Sequence, residues 1–489
     1  MPQTNNAALA QTLLARQWNL SIGGEARQAA SGRSYDVEDP STSAVVAAAP
    51  NGGPADADAA VQCAAAAFAA WSALTVFQRA GYLTRLADAV STRAEEFAIL
   101  DAVCGGAPVT EMRKDVATSV KTLRYFAGIA PQLTGDTIPA SSHLHFTERV
   151  PFGVVVRIVA FNHPFMFSVA KAAAPLMAGN TVVIKPPDVA PLSALLFGEL
   201  AAEILPKGVL SVVVGEGPDV PRALVTHPDV RRIGFVGSEQ TGRSIQRDAA
   251  DSGVKSVSLE LGGKNALIAC GDAEVEVVAA AAVNGMNFTW AGQSCGSTSR
   301  LLVHEDIADA VVRRIVELIE PIRIGAAIDE STQMGPVVSL RQLDRIERDI
   351  EQALSEGAEL LAGGKRPTNL TRGYFLQPTI LAVSNEMQIA GKEVFGPVLS
   401  VLRWCDPEQM VETANSVDYG LTAAIYTPDI TRALRLARRL EVGYVWINGV
   451  SQHFTGVPYG GVKASGIGRD EAFEELVSYT QTKAVTVFL

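Results

Sequence analysis

An α/β fold built on mainly parallel sheets is predicted by three observations. Short runs rich in Val, Ile and Leu alternate along the chain with longer helical stretches. Several of these runs are continuously apolar, as strands covered on both faces must be. The chain has 489 residues, 48 % hydrophobic and 19 % charged. That is too long for one core and predicts two or three domains.

The elements follow in order. From Met1 to Leu20 the chain is polar. Leu13, Leu14 and Trp18 are too sparse for a signal peptide or a membrane span. Pro40–Pro54 reads as a loop. Ala55–Ala70 is alanine-rich and predicts a helix. Val61, Phe68 and Trp71 fall on one helical face, as do Leu83, Leu86 and Val90. Strands are expected at Gly153–Phe161, Thr181–Lys185, Leu210–Val214, Arg232–Val236, Ser256–Leu259, Ala266–Ala269, Leu301–Val303, Leu399–Leu402 and Gly443–Ile447. Gly363–Gly373, with Pro367 and Asn369, reads as a surface loop or hairpin. No internal repeat or low-complexity linker marks a domain boundary.

Bulk charge and cysteine usage exclude several classes. The net charge is −11 and no Lys/Arg run is present, so no nucleic-acid partner is expected. No membrane partner is expected either. The five cysteines, Cys63, Cys104, Cys270, Cys295 and Cys405, form no C-x-x-C pair. A disulfide framework or a metal site is therefore not expected, and a reducing, cytoplasmic setting is.

Several segments combine residue types suited to chemistry. In Gly292-Gln293-Ser294-Cys295-Gly296 the small neighbours let backbone and ligand approach the sulfur. Cys295 then reads as a nucleophile or as a small buried hydrophobe. Glu260, in Leu259-Glu260-Leu261-Gly262-Gly263-Lys264-Asn265, ends an apolar strand. Burial there would raise its pKa and suit it to general-base work; the alternative is a cap on the glycine turn. Asn162 follows the strand ending near Phe161. Its amide can face a developing oxyanion or simply make a turn before Pro164. Lys185 leaves the strand Thr181–Lys185 where an α/β sheet binds ligands, unless it is a solvated charge.

Gly237-Ser238-Glu239-Gln240-Thr241-Gly242-Arg243 mimics the spacing of a Walker A loop but has arginine in place of lysine. Such a turn can still hold a pyrophosphate on helix amides. No G-x-G-x-x-G occurs, so the common dinucleotide fingerprint is missing. Glu393-Val394-Phe395-Gly396-Pro397 and the glycine-dense Pro458–Arg469 could each be structural turns.

Taken together, and in order, these segments resemble the aldehyde dehydrogenase superfamily of the acid-forming, non-acylating kind. The likeness runs from about Pro151 to Lys483, and more weakly through the N-terminal helices. It rests on F-N-x-P, V-I-K-P, the Gly-Ser pair, E-L-G-G-K, G-Q-x-C, E-V-F-G-P and P-Y-G-G-x-K-x-S-G-x-G-R. The resemblance implies a Rossmann-type cofactor domain (1–130 and 151–260), an α/β catalytic domain (261–462) and a small β oligomerisation arm (131–150 and 478–489). The arm would use Leu133–Arg149 and a last strand, Lys483–Leu489. A homodimer or homotetramer follows by likeness.

The same resemblance assigns roles. Cys295 is the nucleophile, Glu260 the general base, and Asn162 with the Cys295 N–H the oxyanion hole. Lys171 lies near the proton exit path. NAD or NADP would be held by Lys185, Asp188, Phe161, Gly237, Ser238, Gly262, Glu393 and Phe395. Two departures bear on the cofactor. Val236 replaces the usual threonine before Gly237-Ser238. Asp188 stands where many NAD-using members carry the longer glutamate. A carboxylate there accepts from a 2′-hydroxyl and repels a 2′-phosphate; the shorter side chain relaxes that repulsion, which leaves the choice open with a slight lean to NAD.

The pocket is expected from His163, Phe167, Ala170, Trp290, Ser294, Gly296, His453 and Phe454. Flat apolar walls without an arginine suit an uncharged aromatic or medium-chain aldehyde. Trp290 could instead face a quaternary ammonium group. The rivals are a CoA-acylating or acyl-transfer relative, a cysteine hydrolase and a non-catalytic binding protein. Glu260 speaks against the first. The absence of an evident carboxylate partner for His163 speaks against the second.

Overall fold

The computed structural model describes residues 3–489, so the first two residues of the expected cofactor domain lie outside the described residues. The apolar runs assemble into two large sheets. The first has eight strands, in the order Glu25–Arg27, Leu20–Ile22, Leu210–Val212, Thr181–Lys185, Val154–Ile158, Val230–Val236, Ser256–Glu260, Gly466–Ile467. Its five central strands are parallel. Val154–Ile158 and Thr181–Lys185 are buried at every position, which is why they read as unbroken apolar runs.

The strand order reverses between Val154–Ile158 and Val230–Val236. Crossovers leave to opposite sides at such a point and open a crevice beyond the strands' carboxyl ends. Phe161, Asn162, Lys185, Gly237, Ser238 and Glu260 all stand at or just past those ends.

The second sheet has seven strands: Glu359–Ala362, Thr379–Ala382, Val398–Trp404, Arg300–His304, Ala266–Ala269, Thr422–Tyr426 and Tyr444–Ile447. All but the first pair run parallel. Cys295 immediately precedes Arg300–His304, and Glu393 and Phe395 precede Val398–Trp404. The amino ends of this sheet therefore meet the carboxyl ends of the first. The short connection Leu261–Asn265 joins the two.

A two-stranded ribbon, Leu144–Pro151 with Thr480–Val487, stands apart from both sheets. One buried amide staples its roots. Asn180 accepts from the N–H groups of Phe152 and Gly153 and donates to the carbonyls of Pro175 and Tyr479.

Some expectations need correction. Pro40–Pro54 is not a plain loop, because Ala44–Pro50 is a strand paired with Ser34–Asp39. Its alanines carry little strand signal, yet they meet a partner. The strands Thr422–Tyr426 and Thr379–Ala382 escaped notice, although the first lies inside the second sheet. Gly153–Phe161 narrows to Val154–Ile158, and the last strand is Thr480–Val487 rather than Lys483–Leu489. The alanine-rich helix runs Pro54–Ser72. Among the described residues no helix is long and apolar enough to cross a membrane.

Candidate active site

Cys295 sits on a tightly wound loop. Asn287, Ala291 and Gly292 hold left-handed backbone at φ 54°, 49° and 69°. Gly292 lies so close to the Gly396 carbonyl that a Cβ there would collide with it. Asn265 fastens the loop by donating to the carbonyls of Cys295 (2.7 Å) and Ser297 (2.9 Å). Its Oδ1 accepts from Thr422 N at 3.0 Å. Gln293 adds a tie, accepting from Val338 N at 3.1 Å. The sulfur is thus carried on a loop pinned from both sides.

The surroundings of that sulfur are poor in compensating charge. Burial pushes the Cys295 thiol up to about 12, and the carboxylates of Glu393 and Glu260 add to the rise. The Tyr459 hydroxyl and the Lys171 ammonium oppose it. Both carboxylate oxygens of Glu260 are buried and without a hydrogen-bond partner. Burial raises its pKa well above the usual carboxylate range, and Asp470 raises it further against Lys171 and Arg469. An unpartnered buried carboxyl beside a buried thiol is costly for folding. It also leaves a carboxyl free to act as a base, which a thiol with so high a pKa needs in order to react.

Asn162 is 7 % exposed, and its amide has no hydrogen-bond partner among the described residues. Ring contacts tie its segment to the cysteine loop and to the segment after Glu393. His163 lies 5.3 Å from Trp290, and Phe161 meets Phe395 edge-on at 5.7 Å. Helix Pro164–Met177 starts directly after, with proline in its first turn. The carboxylate of Asp101 accepts from Phe165 N at that helix start, at 2.9 Å.

Lys171, on the same helix, lies 2.7 Å from the Asp470 carboxylate. Burial alone would lower the lysine pKa, but Asp470, Glu475 and Glu471 outweigh it and hold the charge. Glu475 is driven up to about 8 by burial and by Asp470. Asp470 and Tyr459 exchange backbone hydrogen bonds of 3.0 and 2.8 Å. One short bridge therefore carries both the phenol beside the sulfur and the partner of Lys171.

Of the residues expected to hold a dinucleotide, Phe161, Lys185, Gly237 and Ser238 stand at the carboxyl ends of the first sheet, and Glu393 and Phe395 come against them from the second. Lys185 is 5 % exposed, and burial lowers its pKa against Asp188, whose carboxylate lies 3.9 Å away. Asp188 also accepts weakly from Gly217 N at 3.4 Å. Gly237 N donates to the Glu260 carbonyl, and Ser238 caps the helix Glu239–Ser252. Glu393 accepts from Gly263 N at 2.8 Å, and a Cβ on Gly262 would overlap its carboxylate. Burial raises the Glu393 pKa to about 7. A half-satisfied buried lysine, a helix N-terminus and a buried carboxylate around one crevice fit the donors and acceptors of a dinucleotide. Val236, the departure from the usual threonine, packs with Val159 and Phe167.

The pocket expectations fare unevenly. Phe167 and Trp290 flank His163, with ring distances of 5.3 Å each. His163 does have a carboxylate partner: its Nδ1 is 2.7 Å from Asp115. The expectation that it had none fails because Asp115 comes from the distant helix Val109–Ile129. Phe454, expected as a wall, is 52 % exposed and makes no ring contact among the described residues. His453 lies at the rim, 3.1 Å from Glu471 and 4.3 Å from the Tyr459 ring. Ser294 is half-buried, and its carbonyl accepts from Ser297 N. Tyr459, Asp470, Asp115 and Glu475 were missed as site residues. For the first two a signal existed, since they stand within and just after the glycine-dense Pro458–Arg469.

Comparison with known proteins agrees with this geometry. The profile of the aldehyde dehydrogenase family matches residues 27–485. Aldehyde dehydrogenase tropH of Talaromyces stipitatus is 45 % identical over 92 % of this chain and 89 % of its own length. Retinaldehyde dehydrogenase 3 of Mus musculus is 38 % identical, over 96 % of this chain and 92 % of its own length. A solved NAD+ complex of an aldehyde dehydrogenase from Bacillus cereus superposes with a TM-score of 0.95 at 37 % identity, covering 98 % of both chains. The chain belongs to the aldehyde dehydrogenase family.

Proposed function

We propose that the chain oxidises an uncharged aromatic or medium-chain aldehyde to its carboxylic acid, using NAD in preference to NADP. The observation that carries this reading is the half-buried Cys295 thiol within the electrostatic reach of the unpartnered carboxyl of Glu260, at the carboxyl ends of the first sheet. Lys185 and Asp188 would take the adenine-side ribose, Ser238 and the helix amides behind it the pyrophosphate, and Glu393 the nicotinamide-side ribose. The bound nicotinamide supplies the hydride acceptor.

The chain's own residues do the rest. Cys295 loses its thiol proton to Glu260, which passes it on to solvent, and adds as thiolate to the carbonyl carbon. The oxyanion so formed is received by the Asn162 amide and the Cys295 N–H. After hydride loss the acyl group remains on Cys295 as a thioester. Glu260 takes a proton from water, and that water releases the acid. Lys171, paired with Asp470, would stand on the exit path of that proton. A panel of aldehydes assayed with NAD and NADP, read by absorbance of the reduced cofactor, tests the reading. Acyl-CoA formation in place of free acid would reverse it.

The cofactor preference rests on Asp188. Its carboxylate reaches Lys185 only at 3.9 Å, leaving it available to a ribose hydroxyl. Asp188→Glu should lower the ratio of NADP to NAD efficiency, because the longer acid stands closer to a 2′-phosphate. An unchanged ratio contradicts the repulsion argument.

The ribbon carries the proposed assembly. Leu144, Val487, Phe488 and Leu489 are exposed along or beyond it, at 41 %, 41 %, 80 % and 83 %. Two strands alone are marginal in water, and free edges seek partners. Light scattering on the purified chain should give a homodimer or homotetramer; a monomer at micromolar concentration counts against the arm.

A further inference from the structure

We propose that Arg157 is a positioning residue for the reaction: its guanidinium, laid across the first sheet at Gly234, is the buried countercharge that favours the anionic form of Glu260. On the reading of Glu260 as the base, Arg157 is what helps so deeply buried a carboxyl to ionise.

The sheet register places it there. Arg157, Gly234 and Ser258 are paired side by side on the neighbouring parallel strands Val154–Ile158, Val230–Val236 and Ser256–Glu260. Glu260 stands two residues beyond Ser258 and so shares its face. Gly234 has no side chain to block the row, and a Cβ there would collide with the Arg157 guanidinium. The arginine therefore reaches over Gly234 towards the strand that ends in Glu260. Its Nη1 donates to the Tyr479 hydroxyl, and the Asp470 carboxylate lies 3.9 Å away.

Such a cation is costly as a purely structural device. Arg157 is 1 % exposed, and its Nε has no hydrogen-bond partner. An apolar side chain would fill the slot without desolvating a charge. The charge persists because the Tyr479 phenol, Asp470, Glu475 and Glu260 hold the Arg157 pKa up against burial. Glu475 is pushed up to about 8, so near neutrality it stays protonated and does not use that charge.

The other groups facing Glu260 leave it short of a cation. Asp470 and Glu471 disfavour its anion, and Lys171 and Arg469 favour it. Cys295 and Tyr459 also stand in its field, and both are pushed up by it. Lys171 is already matched by Asp470 at 2.7 Å. Arg469 is half-buried and turned to the carbonyls of Gly461 and Gly468. Arg232, the second buried arginine of the sheet, lies over the Tyr479 ring at 4.9 Å. Arg157 has a neutral phenol and a carboxylate at 3.9 Å that Lys171 already neutralises. Its charge is thus left to act on Glu260, and burial keeps water from screening it.

The test is the pH profile of acid release by the full chain, saturated with NAD and with the aldehyde that it turns over fastest. Arg157→Met should move the alkaline climb to higher pH by about one unit, which slows release on the acid side roughly tenfold. Arg157→Lys keeps the charge and should move the climb by less than half as much. In a Glu260→Gln background, Arg157→Met should leave the profile flat. A climb that stays in place while the rate falls equally at every pH overturns the proposal, since it marks a packing role. So does a displacement that persists without Glu260. Should the methionine variant not fold, Arg157→Lys and Tyr479→Phe decide. Both keep the charge: a climb left near its native place in each supports the proposal, and a full-unit displacement in either overturns it. A native profile with no alkaline climb overturns the base reading together with this inference, whereas a climb indifferent to Arg157 overturns this inference alone.

Discussion

Replacing Cys295 by alanine should abolish aldehyde oxidation while leaving dinucleotide binding intact. The expected loss is roughly 10⁴-fold or more, as when a covalent nucleophile is removed from an otherwise complete site. No other thiol can substitute. Cys104 and Cys270 are buried, Cys63 sits half-buried on the helix Pro54–Ser72, and Cys405 is exposed after the strand Val398–Trp404. The crevice residues do not depend on the sulfur for their hydrogen bonds, so NAD should still bind when followed by calorimetric titration. The loop should also survive. Its shape is set by Asn265, Gln293 and the left-handed backbone at Ala291 and Gly292, not by the thiol. An active alanine variant would end the nucleophile assignment.

Glu260→Gln should trap the acyl group on Cys295. Glutamine keeps the size of the side chain and cannot accept the proton of the attacking water. Hydrolysis of the thioester should slow by roughly 10²–10⁴, so intact-mass measurement after mixing with aldehyde and NAD should show an acyl adduct. Normal turnover without an adduct would contradict the role. The pH dependence follows from the same burial. Glu260 is pushed well above its ordinary 4.5, so its basic form appears only as pH rises. Native turnover should therefore climb on the alkaline side, and the glutamine variant should lose that dependence for hydrolysis. Stability runs the other way. The folded state retains a proton that the unfolded chain releases above about 4.5. Folding weakens as pH rises from there through the folded value, and the glutamine variant should be flatter over this interval.

Much of this site could be read from the chain before any coordinates. Cys295, Glu260 and Asn162 sit at the ends of strongly apolar strands or beside glycines, where the local pattern itself signals a turn under constraint. The strands of the first sheet were legible because burial on both faces leaves no polar interruptions. Thr422–Tyr426 was not, since two adjacent alanines carry little β preference and its burial comes from neighbours on either side. Asp115 was invisible as the partner of His163 because a helix from another part of the chain supplies it. The Tyr459 phenol lay inside a segment whose glycines drew attention to backbone closure rather than to side chains. Phe454 shows the converse error: an aromatic residue beside the glycine-dense segment that the loop turns towards solvent.

The backbone pairing of Tyr459 with Asp470 has a consequence for how such a protein can change over generations. Any substitution that shifts this bridge to admit a new aldehyde also moves the carboxylate that Lys171 leans on. On the proposed roles, diversification of diet and speed of release are thus inherited together.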